Sequence, residues 1–299
     1  MWKFEAPDKV FQIGRVKIGG KLGYAPTVLI GTMFYNKHYI VKDEMKGEFD
    51  REEAEKLIKK QEEFSDKTGN PHMIDVVGAT SEALKKHLEF VTGVTDAPLL
   101  LDGVSSGVRI AGLDYVKEHG LQDRIVYNSI TPEYKKEELD KMKEVGLKSA
   151  LILAFNTKEF TTQGRISAVR QLLPVAAGVG IEKPIIDTAV IDIPTLGMAC
   201  RAIYQLRSEF GLPIGSGAHN AVGTWKGLKK KMGPQAKSPA MATACAITVA
   251  AGANFILYGP IEFADYMFPT IAMVDAAYAQ LSMEGGVMPD PKHPIFKIA

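Results

Sequence analysis

The sequence has almost no cysteine, almost no net charge and no apolar run of membrane-spanning length, and each shortage removes a class of answer. Its two cysteines, Cys200 and Cys245, lie far apart and outside any CxxC or Cys/His cluster. A disulfide framework is therefore excluded, and both thiols are expected as buried apolar residues in a reducing compartment. The 36 basic residues nearly balance the 35 acidic ones, with the two signs interspersed. That pattern points away from a nucleic acid and toward a small molecule as the main partner. The six histidines are scattered, none paired at ligand spacing, so no bound metal is expected.

The N-terminal stretch MWKFEAPDKVFQIG carries charges and a proline throughout, unlike a signal peptide. With no spanning segment either, the expectation is a cytoplasmic protein without membrane insertion. No linker rich in Pro, Gly or Ser divides the 299 residues, so one domain over 1–299 is expected. Within it, residues 1–24 read as a hairpin around Gly14 that plugs one end of the fold.

What is present is alternation. Apolar runs that stop at a polar residue each precede a longer stretch of helical periodicity: TVLIGTMFY (27–35), HMIDVVG (72–78), APLLLDG (97–103), RIVYNSI (124–130), SALILAFN (149–156), KPIIDTAV (183–190), LPIGSG (212–217) and ANFILYG (253–259). The intervening segments carry helix punctuation, such as Thr80 or Ser81 as a cap and Pro132 suited to a first turn. The runs are continuously apolar, as parallel strands covered on both faces must be. Eight βα units in one chain make a closed (β/α)8 TIM barrel the economical fold, with an open doubly wound sheet as the alternative.

In such a barrel the functional groups stand at the C-terminal ends of the strands. Here those ends carry Asp75, Asp102, Asn128, Asn156, Asp187 and, just past the seventh, Asn220. Singly, each Asp or Asn is explained by a helix cap or a turn. Together, with hardly a basic residue among them, they suit a ligand rich in N–H groups. A carboxylate accepts two parallel N–H bonds from an amidine-like edge, and a carboxamide gives one bond and takes another. Pterins and other aminopyrimidinones present that edge.

The segment PIGSGAHN matches the first two glycines of a dinucleotide loop, but Asn220 occupies the third position and no acid follows at the ribose-binding distance. Its glycines are better explained as space at a barrel mouth that lets Asn220 point inward. The run KGLKKK (226–231) is either a solvated helix face or a docking patch, for an acidic partner protein or for the acidic tail of the ligand. His219 is either a ligand contact or a core histidine, and Met198, Met241 and Met267 are expected as core fillers.

On VKIGG, GTMFYNKHYIVKDEMKGEFD, QEEFSDKTGNP, TDAPLLLDGVSSGVRIAG, VYNSI, PIGSGAHN and ILYGPIE, the chain resembles the family of the H component (MtrH) of tetrahydromethanopterin S-methyltransferase over nearly its whole length. Within it, the resemblance is to the stand-alone bacterial methylcorrinoid:tetrahydrofolate methyltransferases of glycine-betaine and methylamine demethylation. More distantly it resembles the pterin-binding barrels, dihydropteroate synthase among them. The resemblance implies pterin contacts at Asp102, Asn128, Asp187 and Asn220, with Asp75 as a further match and Asp192 as a rival for the strand-six acid; Asn156, Ser216 and Gly217 are expected to join them. Asp75 and Asn220 are the expected catalytic groups, Asp75 accepting, directly or through water, the proton that N5 loses after alkylation.

It further implies methyl transfer from a methylated corrinoid (cobalamin) protein to N5 of tetrahydrofolate. The alternatives are a tetrahydromethanopterin-dependent H component of a membrane methyltransferase complex and a dihydropteroate-synthase-like enzyme. A third, a sugar-phosphate barrel enzyme, would use GSG for phosphate. The expected partners are the corrinoid protein, tetrahydrofolate and a second copy of the chain in a homodimer, with no nucleic acid and no membrane insertion.

Overall fold

The computed structural model describes residues 3–298. Two antiparallel strands come first, β1 (Val10–Ile13) and β2 (Val16–Gly19), turning at Gly14 with φ of 49°. β3 (Val28–Met33) follows, then a second small hairpin of β4 (Val41–Asp43) and β5 (Glu48–Phe49). The later strands are β6 (His72–Gly78), β7 (Leu99–Gly103), β8 (Ile125–Ile130), β9 (Ser149–Leu153), β10 (Lys183–Asp187), β11 (Ile214–Ser216) and β12 (Phe255–Pro260). β3 and β6 to β12 run parallel and close into a barrel, with helices between successive strands. This is the (β/α)8 architecture the alternation predicts.

Local chemistry sets the helix limits. Asp50 caps the helix Arg51–Thr68 by accepting the Glu53 N–H at 3.2 Å, and Gly69 ends it in the left-handed region at φ of 80°. Thr80 caps Ser81–Val94 by accepting the Ala83 N–H at 3.0 Å. Pro132 does not start its helix, which runs over Lys136–Val145. The start is set instead by Glu138, whose Oε2 accepts the Lys135 N–H at 3.2 Å. Among the described residues, no helix is long and apolar enough to cross a membrane.

Side chains along a strand alternate sides, so inward-facing positions recur every second residue. Val28, Ile30, Met73, Leu100, Val126, Leu151 and Ile185 form one buried cluster inside the barrel, joined by Ile13, Val16 and Ile18 of the first hairpin. The hairpin thus seals the end at which the strands begin. Two residues further along the same strand faces stand Thr32, Asp75, Asp102, Asn128 and Asp187. An apolar interior is capped at the other end by a polar layer.

Candidate functional site

Strand register brings this layer together. Thr32 of β3 lies level with Asp75 of β6, and Asp102 of β7 lies level with Asn128 of β8. Thr32 Oγ1 donates to Asp75 Oδ2 at 3.0 Å, and Asn128 Nδ2 donates to Asp75 Oδ1 at 3.1 Å. Each oxygen of Asp75 therefore accepts one bond from an adjacent layer member. Thr32, Asp75, Asp102, Asp187 and Asn220 line a cavity of about 370 Å3 at the C-terminal mouth. No lysine or arginine lines it.

Burial without a cation raises the acids. Asp75 is pushed up to about 8, first by burial and then by the charge of Asp102, with the bonds from Asn128 and Thr32 opposing. Burial raises Asp102 to about 6 against the Gly103 N–H and Arg109. Asp187 likewise rises to about 6, opposed by the backbone N–H groups of Ala189 and Gly217. Acids raised toward neutrality in a mouth lined by no cation are suited to proton exchange and to accepting N–H groups.

Asp187, not Asp192, is the strand-six acid at the cavity. Asp192 caps the helix Ile193–Phe210 by accepting the Thr195 N–H at 3.0 Å. The loop after Asp187 turns through Ala189 at φ of 52° and returns the Ala189 N–H to Asp187 Oδ1 at 2.8 Å. Arg165, fully buried, holds that loop: it donates to the carbonyls of Thr188 (2.8 Å), Ala189 (3.0 Å) and Thr161 (3.1 Å). Arg165→Met leaves the Thr188 and Ala189 carbonyls without this donor, while Thr161 keeps the Arg165 backbone N–H at 3.3 Å, and is expected to cost about 3 kcal/mol of stability. A urea midpoint unchanged from wild type would show that the loop does not depend on Arg165.

In the strand-seven loop the glycines supply space. A side chain at Gly215 would collide with the Phe255 carbonyl and ring, and one at Gly217 would crowd Asn220 Nδ2 at 3.2 Å. Asn220 opens the short helix Asn220–Gly223 and its carboxamide, at the cavity, has no partner among the described residues. His219 does line the cavity, but its Nδ1 is within 3.0 Å of the Leu257 carbonyl oxygen and burial lowers its pKa. Its ring packs on Gly259, where any side chain would strike it.

Three expected contacts, Asn128, Asn156 and Ser216, are not among the cavity-lining residues. The Asn128 carboxamide is instead bonded to Asp75. Asn156 is not among the cavity-lining residues, because β9 ends at Leu153 and the Asn156 carboxamide oxygen accepts the Lys158 N–H at 2.9 Å in a turn. Ser216 alternates with the two glycines and is fully buried away from the cavity. Met241 and Met267 are buried as expected, but Met198 is 36% exposed. Cys245 is buried and Cys200 only partly so.

The rim was not legible beforehand. Tyr35, Asn36 and Glu44 line the cavity, carried by the segment between β3 and β5. Tyr35 Oη donates to Glu262 Oε1 at 2.5 Å, tying the first strand's loop to the last strand's. Asn36 Nδ2 donates to Glu44 Oε2 at 3.1 Å. Thr32 alone carried a signal, as the inward position two residues past Ile30. A larger cleft of about 1060 Å3 lies at the opposite end, beside Arg15, Glu62 and His72. It has no convergence of acids at strand C-termini, the end at which barrels of this kind place their functional groups. Among the described residues, no cluster of His, Cys, Asp and Glu could hold a metal ion.

The model of one protein family, described as tetrahydromethanopterin S-methyltransferase MtrH subunit, matches residues 6–290. The H component of tetrahydromethanopterin S-methyltransferase from Methanothermobacter thermautotrophicus is 41% identical over 309 residues, covering 100% of both chains. The H component of a putative mtx methyltransferase from Methanosarcina mazei is 38% identical and covers 99% of both. Among solved structures, dihydropteroate synthase of Yersinia pestis aligns with a TM-score of 0.64 at 13% identity, covering 91% of this chain and 100% of that one. That of Xanthomonas albilineans aligns at 0.62 and 14%, covering 90% and 98%. At such identities the likeness shows the fold alone.

These relatives correct the expected partners. Proteins matched end to end are named as H components, each one subunit of a methyltransferase. The expectation of a stand-alone enzyme, free of any larger assembly and of any membrane association, is withdrawn.

Proposed function

Since the chain belongs to the tetrahydromethanopterin S-methyltransferase MtrH subunit family, we propose that it is the pterin-handling component of a methyltransferase, holding a reduced pterin of the tetrahydromethanopterin type in the C-terminal mouth. The observation that carries this reading is a cavity lined by three aspartates, Glu44 and Asn220, with no lysine or arginine. Such a cavity matches an N–H-rich ring and offers nothing to a phosphate, against both the sugar-phosphate reading and pyrophosphate-releasing chemistry. Tetrahydrofolate, the acceptor expected from the sequence, becomes the comparison compound, because the relatives' names specify tetrahydromethanopterin.

Asp102 and Asp187 accept the N–H groups of the pterin ring, and Asn128, pinned by its bond to Asp75, fixes another ring atom. Asn220 stands beside N5, where its carboxamide can serve as donor or acceptor as the protonation of N5 changes. The second reactant is the cobalt of a corrinoid carried by another protein, which takes the methyl group using its own electron pair. The electron pair of the breaking N5–C bond stays on N5, and the proton N5 then needs comes from Asp75. In the reverse direction Asp75 takes that proton back. No nucleophile of the protein is required, and the chain contributes by positioning, worth up to roughly 7–11 kcal/mol in well-aligned systems.

Calorimetry of the purified chain with 5-methyltetrahydromethanopterin and with tetrahydrofolate tests the reading. The first is expected to bind at least about tenfold tighter; absence of binding by either would overturn it. Asn220→Ala is expected to weaken pterin binding about tenfold through loss of a hydrogen bond to the ring. Unchanged affinity together with unchanged methyl transfer would remove Asn220 from the site.

A further inference from the structure

Beyond the cavity, the chain leaving Asn220 carries an aromatic and then a row of cations that nothing in the fold uses. Trp225 is 40% exposed. Lys226, Lys229, Lys230 and Lys231 are exposed, and among the described residues none of them makes an ion pair or a side-chain hydrogen bond. Most lysines elsewhere on the surface of helix Arg51–Thr68 sit in ion pairs, for example Lys56 with Glu52 at 2.8 Å and Lys60 with Asp265 at 2.8 Å. Buried Leu228 anchors the segment, so the lysines are held outward.

The path from cavity to lysines is short and fixed. Thr224 N–H donates to the Asn220 carbonyl at 3.1 Å, Trp225 N–H to that of Val222 at 3.1 Å, and Leu228 N–H to that of Trp225 at 3.1 Å. Thr224 Oγ1 also donates to the Ile191 carbonyl at 3.0 Å, fastening the segment to the strand-six loop. Lys226 follows Asn220 by only six residues. Along the chain, the cavity residue Asn220 is followed by an aromatic and then by cations.

We propose that Trp225 and the lysines at 226 and 229–231 form a subsite for the outer part of the pterin coenzyme, Trp225 packing on its arylamine and the lysines binding its anionic tail. The proposal rests on the pterin reading above and extends it to the part of the ligand outside the cavity. Reduced pterin coenzymes join an N–H-rich ring through an arylamine to a tail that ends in anionic groups, the same order of chemistry as along this stretch of chain. Exposed charge pairs are individually weak, and several acting together on one flexible anion are needed to reach about a tenfold effect.

The test compares two ligands, 5-methyltetrahydromethanopterin and 5,6-dimethyltetrahydropterin, the second having the methylated ring but neither arylamine nor tail. Wild type, the fourfold variant Lys226→Gln, Lys229→Gln, Lys230→Gln, Lys231→Gln, and Trp225→Ala are titrated with each, after circular dichroism confirms folding. The expected result is a loss of about tenfold or more for the full coenzyme in both variants, with the truncated pterin bound within about twofold of wild type. Added salt should weaken only the full coenzyme in wild type. Unchanged affinity of the lysine variant for the full coenzyme overturns the proposal. If that variant also needs more partner protein for methyl transfer, the patch is a protein-docking surface. Equal losses for both ligands overturn it as well. Wild type binding neither ligand removes the pterin reading itself, a result distinct from the others.

Discussion

Asp187→Asn is expected to lower affinity for the methylated pterin by about 100-fold while leaving the empty protein at least as stable as wild type. The loss follows from geometry: Asp187 ends β10 inside the cavity, with Oδ1 fixed by the Ala189 N–H at 2.8 Å. An asparagine fits the same space but turns an N–H toward the N–H groups of the ring. One charge-assisted bond lost and one donor left facing another together amount to roughly 3 kcal/mol, about two decades in affinity.

Stability responds in the opposite sense. Burial raises Asp187 to about 6 in the folded protein, so folding favours its acid form. The stability this confers is complete below the ordinary carboxylate range and is lost as pH rises through about 6. At pH 7 the wild-type carboxylate is therefore a burden, and asparagine removes it, raising stability by up to roughly 2–3 kcal/mol. Thermal melts of both proteins from pH 4 to pH 8 read this directly. A variant markedly less stable than wild type at pH 7 would mean that the Ala189 and Gly217 N–H groups outweigh the cost of burying the Asp187 carboxylate, against the raised pKa.

What could be read beforehand followed strand periodicity. Asp75, Asp102, Asn128 and Asp187 each stand two residues past an apolar inward position, so locating the strands located them. Asn156 obeyed the same reading and failed, because β9 stops at Leu153 and the next residues form a turn. A run of apolar residues does not reveal where the last ladder bond is made. Ser216 failed by one residue, since a one-place shift along a strand reverses the face. The rim escaped for a different reason: the strands Val41–Asp43 and Glu48–Phe49 are too short for periodicity. The bond from Tyr35 to Glu262 joins residues 227 apart, a pairing that only chain closure brings about. The likeness to methyltransferase H components, in turn, supplied what no local feature states, that such chains work within a larger enzyme.

Asp75→Asn is expected to slow methyl transfer about 100-fold at pH 7 while changing the Michaelis constant for the pterin by no more than about threefold, the loss typical of a missing general acid. The acid stands in the same polar layer, bonded by Thr32 at 3.0 Å and Asn128 at 3.1 Å, and asparagine retains its shape without its exchangeable proton. Burial and the neighbouring charge of Asp102 push Asp75 up to about 8, so at neutral pH it carries the proton that N5 requires as the methyl group leaves. Wild-type turnover from pterin to corrinoid should therefore decline as pH rises through about 8, where the acid form is lost. Turnover in the reverse direction should rise through the same range, because there the carboxylate is the active form. In the variant both profiles should flatten over this interval. Were the substitution instead to raise the Michaelis constant for the pterin and leave the pH profile of turnover as in wild type, Asp75 would be a residue that holds the ring, and the proton would have to come from the carboxyl of Asp102 or from water.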